Sequence, residues 1–293
     1  MSGHLFTFGH GYSAAAITRA LRAQGWRVTG TTRDAGGAER IGASGATPLI
    51  WPGDPAAVAA ALDSADHLLI STGPDQGGDP VLADTAAREV IRRVAPRLRW
   101  AGYLSSTNVY GDHQGAWVDE GTALSPSTGR GRARVEAEGD WQAFAADCGL
   151  PLHLFRLAGI YGPGRGPFAK VRAGTARRII KPGQIFSRIH VDDIAAVVLA
   201  SIARPDPGAV YNVCDDEPAP PEDVIEAAAR MLNLPIPPAE DYATAEQSPM
   251  ARSFYAESKR VRNERIKADL GVVLAYPDYR AGLAAVLAAE DQA

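Results

Sequence analysis

The sequence predicts an α/β protein built on a doubly wound parallel sheet. Short apolar runs suited to buried parallel strands alternate with helical patterns along the chain. The first run, Leu5 to Phe8, is followed by a glycine turn and then by a helix in which Ile17 and Leu21 share one face. With 293 residues, 46% of them hydrophobic, the chain is long enough for one large α/β domain or for two lobes that share a core.

The turn after the first strand has the pattern Gly-x-Gly-x-x-Ala. The first glycine permits a tight turn, the second lets backbone N–H groups approach a diphosphate, and the alanine keeps the helix close to the strand. The N-terminus of that helix favours an anion, because its N–H groups are unpaired and its dipole end is positive. This pattern predicts a dinucleotide site, against the alternative of a turn that merely opens an α/β domain. The predicted cofactor-binding residues here are Gly9, His10, Gly11, Tyr12 and Ala14.

The second strand, over residues 26–33, predicts which dinucleotide is bound. An acid at the end of this strand binds the 2′-hydroxyl of NAD, whereas an arginine accommodates the additional phosphate of NADP. Arg33 is a bidentate phosphate donor beside the small neutral Thr32, so NADP is the predicted cofactor. The adjacent Asp34 keeps NAD open, and Arg33 is alternatively a solvated loop charge.

Strands and helices continue to alternate after this unit. Residues 47–51 and 66–74 are predicted strands, with a helix at 55–62 between them, and a helix at 81–94 precedes another strand. The strand at 66–74 ends in small residues, which leave room for a ligand at its carboxyl end. The Gly- and Pro-rich segment 74–80 is a loop over that crevice or a plain turn. Further predicted cofactor-binding residues are Ser71, Thr72 and Gly73.

Charge, cysteine content and hydropathy limit the classes of partner. A net charge of −4 gives no support for a nucleic-acid or membrane-surface partner. Cys148 and Cys214 lie far apart and near no histidine cluster, so we expect neither a disulfide nor a metal site, and a reducing cytoplasm fits best. The longest apolar run, residues 194–203, is too short to span a bilayer, and no targeting segment is expected. A small-molecule substrate is the expected partner, and a homodimer is left open.

Five motifs appear in a fixed order: the Gly-His-Gly-Tyr turn at 9–12, Ser-Ser-Thr-Asn-Val-Tyr-Gly at 105–111, Asp-Glu at 119–120, the run 156–165 and Arg-Ile-His-Val-Asp-Asp at 188–193. This order resembles the extended short-chain dehydrogenases, the NAD-dependent epimerase/dehydratase proteins, over nearly the whole chain. The resemblance implies a Rossmann sheet of about seven parallel strands and a smaller C-terminal lobe that closes over substrate. It further implies an NAD(P)-binding domain over residues 1–158, to which 185–213 return. Residues 159–184 and 214–293 would then form the substrate lobe.

The same resemblance implies catalytic positions, and the sequence departs from the family at two of them. Ser106 lies where the family keeps its catalytic Ser or Thr, next to Ser105, a predicted cofactor contact. The family's Tyr-x-x-x-Lys pair, in which the tyrosine is the acid/base, is replaced by Arg130 and Arg134. A guanidinium holds its proton throughout the useful pH range, so Arg130 cannot shuttle protons. Arg134 can still donate hydrogen bonds to a ribose or phosphate. The candidate catalytic residues are Ser106, Arg130 and Arg134.

Four other features each have two interpretations. A literal Tyr-x-x-x-Lys at 255–259 is interpreted as surface or lobe packing, although its tyrosine could reach substrate from above. Arg165 either faces an anionic substrate or crosses between lobes. The basic cluster at 172–181 is a solvated helix face or a grip for phosphate. Asp192 or Asp193 is predicted to cap the helix that begins there.

The leading functional prediction is a redox or isomerisation enzyme for a small polar substrate, sugar-like or phosphorylated, with a rebuilt acid/base set. Ser106 would orient the substrate and Arg130 would stabilise developing negative charge. The proton would come from water, Tyr110, Tyr161 or Glu120. The alternatives are a dinucleotide-binding sensor without turnover and a vestigial cofactor cleft.

Overall fold

A seven-stranded parallel sheet forms the centre of the structure, a computed structural model that describes residues 2–75 and 77–290, without the side chains of 249–251. Its order is β11-β7-β5-β4-β1-β2-β3, and each neighbouring pair is parallel. The chain therefore winds outward from β1 in both directions, which confirms the predicted fold class. The strands are β1 (His4–Phe8), β2 (Arg27–Thr32), β3 (Thr47–Ile50), β4 (His67–Ile70), β5 (Trp100–Ser106), β6 (Trp117–Val118), β7 (Leu152–Leu157), β8 (Gly159–Tyr161), β9 (Arg178–Ile180), β10 (Arg188–His190), β11 (Val210–Val213), β12 (Ala239–Asp241) and β13 (Arg260–Val261).

Helices cover both faces of this sheet. Two buried apolar clusters lie on opposite sides, one containing residues of α1 and α8 and the other residues of α3, α5 and α6. Within the described ranges, no helix is both long and apolar enough to cross a membrane. The helices are α1 (Tyr12–Ala23), α2 (Ala35–Ala43), α3 (Pro55–Ser64), α4 (Pro80–Ala83), α5 (Thr85–Val94), α6 (Gly129–Cys148), α7 (Phe168–Arg172), α8 (Val191–Ala203), α9 (Pro221–Met231), α10 (Pro249–Phe254), α11 (Glu264–Ala268) and α12 (Tyr279–Glu290). Two 3₁₀ helices lie at Ala95–Arg97 and Thr107–Tyr110.

A third apolar cluster lies apart from the sheet, among α7, α9 and α12. Its largest members are the aromatic side chains of Tyr161, Phe168 and Tyr279, all at least 90% buried. Gly282 allows α12 to approach, since a Cβ atom there would lie 2.0 Å from the Tyr161 hydroxyl oxygen. This cluster, together with the short sheets β9–β12 and β8–β10, forms the structure above the carboxyl ends of the central strands.

Helix caps account for two differences from the predicted elements. The single helix predicted at 81–94 is two helices, because Asp84 ends α4 and its carboxylate accepts a hydrogen bond from the Ala87 N–H at 3.1 Å, starting α5. The predicted cap of α8 was wrong: His190, and neither aspartate, caps it by accepting from the Asp192 N–H. The Asp193 carboxylate instead accepts from the backbone of Ala275 and Tyr276 and so holds the C-terminal segment.

Candidate functional site

A cavity of about 620 Å³ opens at the carboxyl ends of the central strands, where parallel α/β sheets bind ligands. The end of β5, the first turns of α6 and the loop after β8 form its walls, and residues of β10 and the segment 253–261 close it. Five of the residues predicted from the sequence line this one cavity: Ser71, Ser105, Ser106, Arg130 and Arg134.

The glycine turn between β1 and α1 has the geometry expected for a diphosphate. Gly9 has a φ of +78°, and a Cβ atom there would lie 2.9 Å from Cγ2 of Thr72. Gly11 differs, because a Cβ atom there would have no other described residue within 4 Å apart from its chain neighbours. The first turn of α1 has no side-chain cap and no acidic residue. Its first N–H groups therefore have no side-chain acceptor at the cap and are available to an anion.

His10, Tyr12 and Ala14 stabilise this turn through their side chains. The His10 ring packs on Gly30 of β2 and its Nε2 lies 2.8 Å from the Thr18 hydroxyl, while Ala14 is buried between α1 and the sheet. The Tyr12 hydroxyl donates to the Pro163 carbonyl at 2.9 Å.

Arg165, from the loop after β8, has a guanidinium 5.6 Å from the centre of the Tyr12 ring. Since Arg165 also lines the cavity, it both crosses to the glycine turn and faces the open space. The two interpretations of this arginine are therefore compatible.

Thr32 and Arg33 lie at the end of β2, outside the cavity lining. Arg33 is exposed and has no hydrogen-bond or ion-pair partner among residues 2–75 and 77–290. Asp34 is the N-cap of α2, where its carboxylate accepts from the Gly37 N–H at 2.7 Å. A cap thus accounts for the aspartate, while the arginine side chain is free to meet a ligand.

Arg134 is held beside the ends of β4 and β5. Its Nη1 donates to the Leu104 carbonyl at 2.9 Å and to the Tyr103 hydroxyl at 3.2 Å. Its Nη2 lies 3.0 Å from where a Cβ atom of Gly73 would be, so only a glycine fits there without moving the guanidinium.

Ser105 belongs to a buried polar network behind the cavity wall. Its hydroxyl donates to Glu138 at 2.5 Å, and Glu138 also forms a 2.7 Å ion pair with Arg156. Arg156 donates to the Tyr110 hydroxyl at 2.9 Å, and that hydroxyl donates to Asn212 at 2.7 Å. The Ser105 hydroxyl, predicted to contact cofactor, is thus directed at a carboxylate, while the residue still contributes to the cavity wall.

Two of the predicted proton sources are excluded by this network. Tyr110 is fully buried and lies outside the cavity lining, and burial raises its pKa. Glu120 accepts from the Asn212 N–H at 2.8 Å and also lies outside the lining. Tyr161 does line the cavity, but burial and then the nearby Asp215 raise its pKa, which makes it a poor proton donor at neutral pH.

Ser106, at the end of β5, and Arg130, in the first turn of α6, both line the cavity. The Ser106 hydroxyl accepts from the Asn108 N–H at 3.2 Å, as the cap of a 3₁₀ helix. Arg130 is exposed; its Nη2 donates to the Ser253 hydroxyl at 3.0 Å, and its guanidinium lies 5.2 Å from the centre of the Phe254 ring. The Arg130 side chain therefore contacts α10.

A fixed arginine of β10 also lines the cavity. Arg188 donates through Nη1 to the carbonyls of Phe186 and Ala219, both at 3.0 Å. Asp215, 1% exposed, lies nearby, and burial raises the pKa of its carboxyl to about 8. Because Arg188 lines the cavity and two carbonyls fix its direction, its remaining N–H groups form a preorganised fork for an anion.

The basic cluster at 172–181 does not form a phosphate grip. None of its cationic side chains lines the cavity, and each has a partner elsewhere among the described residues. Arg172 pairs with Glu290, Arg177 with Glu240, Arg178 with Glu226, and Lys181 donates to the Tyr255 carbonyl. The four side chains do not share one helix face as predicted, because Arg172 ends α7, Arg178 begins β9, and Arg177 and Lys181 flank that strand.

The Tyr-x-x-x-Lys sequence at 255–259 divides between two environments. Tyr255 packs on Tyr242 and Phe186, with ring centres 5.3 and 6.0 Å away, which confirms lobe packing for the tyrosine. Lys259 is buried and lines the cavity together with Glu257, so the surface interpretation is wrong for this lysine. Its Nζ donates to the Gly111 carbonyl at 2.8 Å, a contact that agrees with lobe packing.

Comparison with known proteins identifies the class that this fold and site define. A model of the NAD dependent epimerase/dehydratase family matches residues 81–214. Protein YeeZ of Escherichia coli K12 is 30% identical over 284 residues, spanning 92% of this chain and 95% of that protein. The chain belongs to the NAD-dependent epimerase/dehydratase family.

Two solved structures illustrate the range of relatives. A conserved protein of unknown function from Silicibacter pomeroyi DSS is 61% identical with a TM-score of 0.91, covering 99% of each chain. UDP-glucuronic acid 4-epimerase from Bacillus cereus, solved in complex with NAD, has a TM-score of 0.76 at 16% identity, again over 99% of each chain. The second likeness is one of fold.

Proposed function

We propose that this protein binds NADP or NAD and interconverts a hydroxyl and a carbonyl group on a small anionic substrate, as an oxidoreductase or epimerase. The observation that carries the proposal is the single cavity that joins Ser106, Arg130 and Arg134 to the fixed fork of Arg188. A sugar-like or phosphorylated molecule fits this combination of a hydroxyl donor and several cations.

The residues present fit a nicotinamide dinucleotide, which would supply and accept a hydride. The open space in front of Gly11 would receive the diphosphate, next to the uncapped first turn of α1. The donors of Arg134 would hold the ribose from the opposite side. Ser71, Thr72 and Gly73 would contact the dinucleotide at the end of β4.

Three side chains would act on the substrate itself. Ser106 would orient the reacting oxygen by hydrogen bonding. Arg130, which keeps its charge at every useful pH, would stabilise negative charge on that oxygen. Arg188 would bind an anionic group of the substrate and so fix the direction in which the substrate lies.

A two-part experiment tests this function. Calorimetric titration of the pure protein with NADPH and NADH measures binding, and we expect heat with both. Loss of deuterium from 4-deuterated NADPH, incubated with the protein and a pool of small metabolites, measures turnover. Binding with deuterium loss supports an enzyme, whereas the absence of heat with either nucleotide contradicts the whole proposal.

One observation favours a second candidate, a dinucleotide-binding sensor without turnover. Arg130 occupies the position of the proton-exchanging tyrosine and contacts Ser253 and Phe254 of α10. A dinucleotide that displaces this arginine would alter the contact with α10 and hence the surface presented there. Binding without any deuterium loss would favour the sensor.

Arg33 is expected to set the preference for NADP. Replacing Arg33 by Glu should weaken NADPH binding by about 10- to 100-fold, since a charge-assisted bidentate contact is replaced by repulsion, and should leave NADH binding nearly unchanged. Calorimetry with both nucleotides measures the ratio. Arg27→Glu, the same charge change at the opposite end of β2, is the matched control. An unchanged preference in the Arg33 variant would show that this residue does not meet the phosphate.

A further inference from the structure

The cavity contains an amine whose position the proposed function does not explain. Lys259 lies in the segment before β13, and the residue is 8% exposed. Its Nζ donates to the Gly111 carbonyl and to Glu257 Oε2, both at 2.8 Å. An ammonium has three N–H groups, so these two partners leave one donor for the cavity that Lys259 lines.

Glu257 holds this amine through its carboxylate and is itself held by other hydrogen bonds. Its Oε1 accepts from the Ser127 hydroxyl at 2.6 Å, and its Oε2 accepts from Lys259. Its own backbone carbonyl accepts from Gln184 Nε2 at 2.6 Å. Both carboxylate oxygens thus act as acceptors and neither presents an O–H group to a ligand, so Glu257 acts as a positioning residue.

The two partners that hold the amine, the Gly111 carbonyl and Glu257, both contact elements that line the cavity. Gly111 directly follows the 3₁₀ helix that Ser106 caps, and Ser127 lies three residues before Arg130. The Glu257 and Lys259 pair therefore borders the two elements that present the proposed substrate-binding side chains. A buried ion pair is weak evidence for stability, because desolvation offsets its attraction. Its position on a cavity wall calls for another explanation.

We propose that Lys259 is the proton-carrying catalytic residue of this cavity, in place of the family's tyrosine. The inference rests on the proposed function, which supplies the hydride. When a substrate carbonyl is reduced, one Nζ–H bond of Lys259 breaks, an O–H bond forms on the substrate, and the electron pair stays on nitrogen. The amine regains its proton from water. In the oxidative direction the hydroxyl proton passes to the Nζ amine.

No other described group in the cavity lining can do this as readily. The arginines keep their protons, and the hydroxyls of Ser106 and Thr128 are too weakly acidic. Tyr161 has a pKa that is raised by burial and by neighbouring aspartates. Tyr279 is 2% exposed, and burial raises its pKa as well. Both carboxylate oxygens of Glu257 accept hydrogen bonds, so this side chain presents no O–H donor to a substrate.

The test uses deuterium loss from 4-deuterated NADPH with the metabolite pool, together with calorimetric NADPH affinity and thermal stability. Lys259→Ala should bind NADPH as the wild type does and lose deuterium about 100- to 10,000-fold more slowly, the usual range for a positioned acid. Added methylamine should restore the rate in proportion to its concentration, because a small amine can enter the vacated space. Lys259→Arg should restore the thermal stability and leave the rate low. Lys170→Ala, at an exposed lysine of α7, is the control.

The outcomes separate the inference from the function on which it rests. Full activity in Lys259→Arg, or a slow Lys259→Ala variant that methylamine does not rescue, would show that the lysine is only a structural tie. Wild-type protein that binds NADPH without deuterium loss would overturn the proposed turnover and this inference with it. Wild-type turnover with an unaffected Lys259→Ala variant would overturn the inference alone.

Discussion

Replacing Gly11 by valine should abolish dinucleotide binding while leaving the protein folded. The backbone at Gly11 is extended, with a φ of −87°, and a side chain there would enter open space. Folding stability should therefore change by no more than about 1 kcal/mol, the cost of a poorer helix N-cap. The same side chain would fill the volume proposed for the diphosphate, so the Kd for NADPH should rise at least about 100-fold.

Calorimetry and thermal unfolding together measure this contrast. Gly139→Val is a matched control. A Cβ atom at Gly139 also enters open space, but Gly139 belongs to α6 and not to the glycine turn between β1 and α1. An unaltered Kd in Gly11→Val would exclude this turn as the diphosphate site. A destabilised Gly11→Val would instead show that the turn is packed more closely than the structure indicates.

Replacing Arg156 by methionine should cause the largest loss of stability in this protein. Glu138, 2% exposed, would remain buried with the Ser105 hydroxyl as its one side-chain donor among the described residues. Breaking one partner of a buried ion pair costs about 3–5 kcal/mol, because the remaining charge has no compensation. The midpoint of thermal unfolding should fall by about 10 °C.

The double variant Glu138→Leu, Arg156→Met separates the pair from its parts. Removal of both charges should recover most of the stability lost in the single variant, since no unpaired charge remains. Differential scanning calorimetry of the wild type, both single variants and the double variant gives the coupling free energy. Equal losses in the single and double variants would mean that packing, and not the unpaired carboxylate, determines the cost.

The fold was predictable because its evidence is local in the sequence. The apolar run at β1, the glycine turn and the apolar face of α1 occupy the first 23 residues, and each is set by neighbouring side chains. The same holds for β7, whose bounds at Leu152–Leu157 agree with the apolar run there. The resemblance to the family, and not the order of strands, predicted Ser106, Arg130 and Arg134 as one site, and all three line the cavity.

The environment of Lys259 could not be predicted from the sequence. It depends on β13, a strand of two residues that pairs with β6 more than 140 positions earlier. Two residues show no periodicity, and the contacts of Lys259 with Gly111 and Glu257 form only when that pairing is in place. The presence of Glu two residues before the lysine was the one available clue.

Buried partners of polar residues were similarly hidden. Tyr110 follows a strand and looks available for chemistry, but its hydroxyl is occupied by Arg156 and Asn212, which are distant in the chain. Ser105 and Ser106 are adjacent and chemically identical, yet strand alternation directs the first toward Glu138 and leaves the second at the helix cap. Only three-dimensional pairing distinguishes such residues.

The hydrogen bond from Tyr12 to the Pro163 carbonyl couples two binding regions of the molecule thermodynamically. It connects the first residue of α1 to a loop 151 positions away, and that loop carries Arg165 to the cavity. A ligand that alters this contact at α1 must therefore also affect the loop that carries Arg165. By linkage, if a bound nucleotide changes the affinity for a ligand at Arg165 by some factor, that ligand changes the affinity for the nucleotide by the same factor.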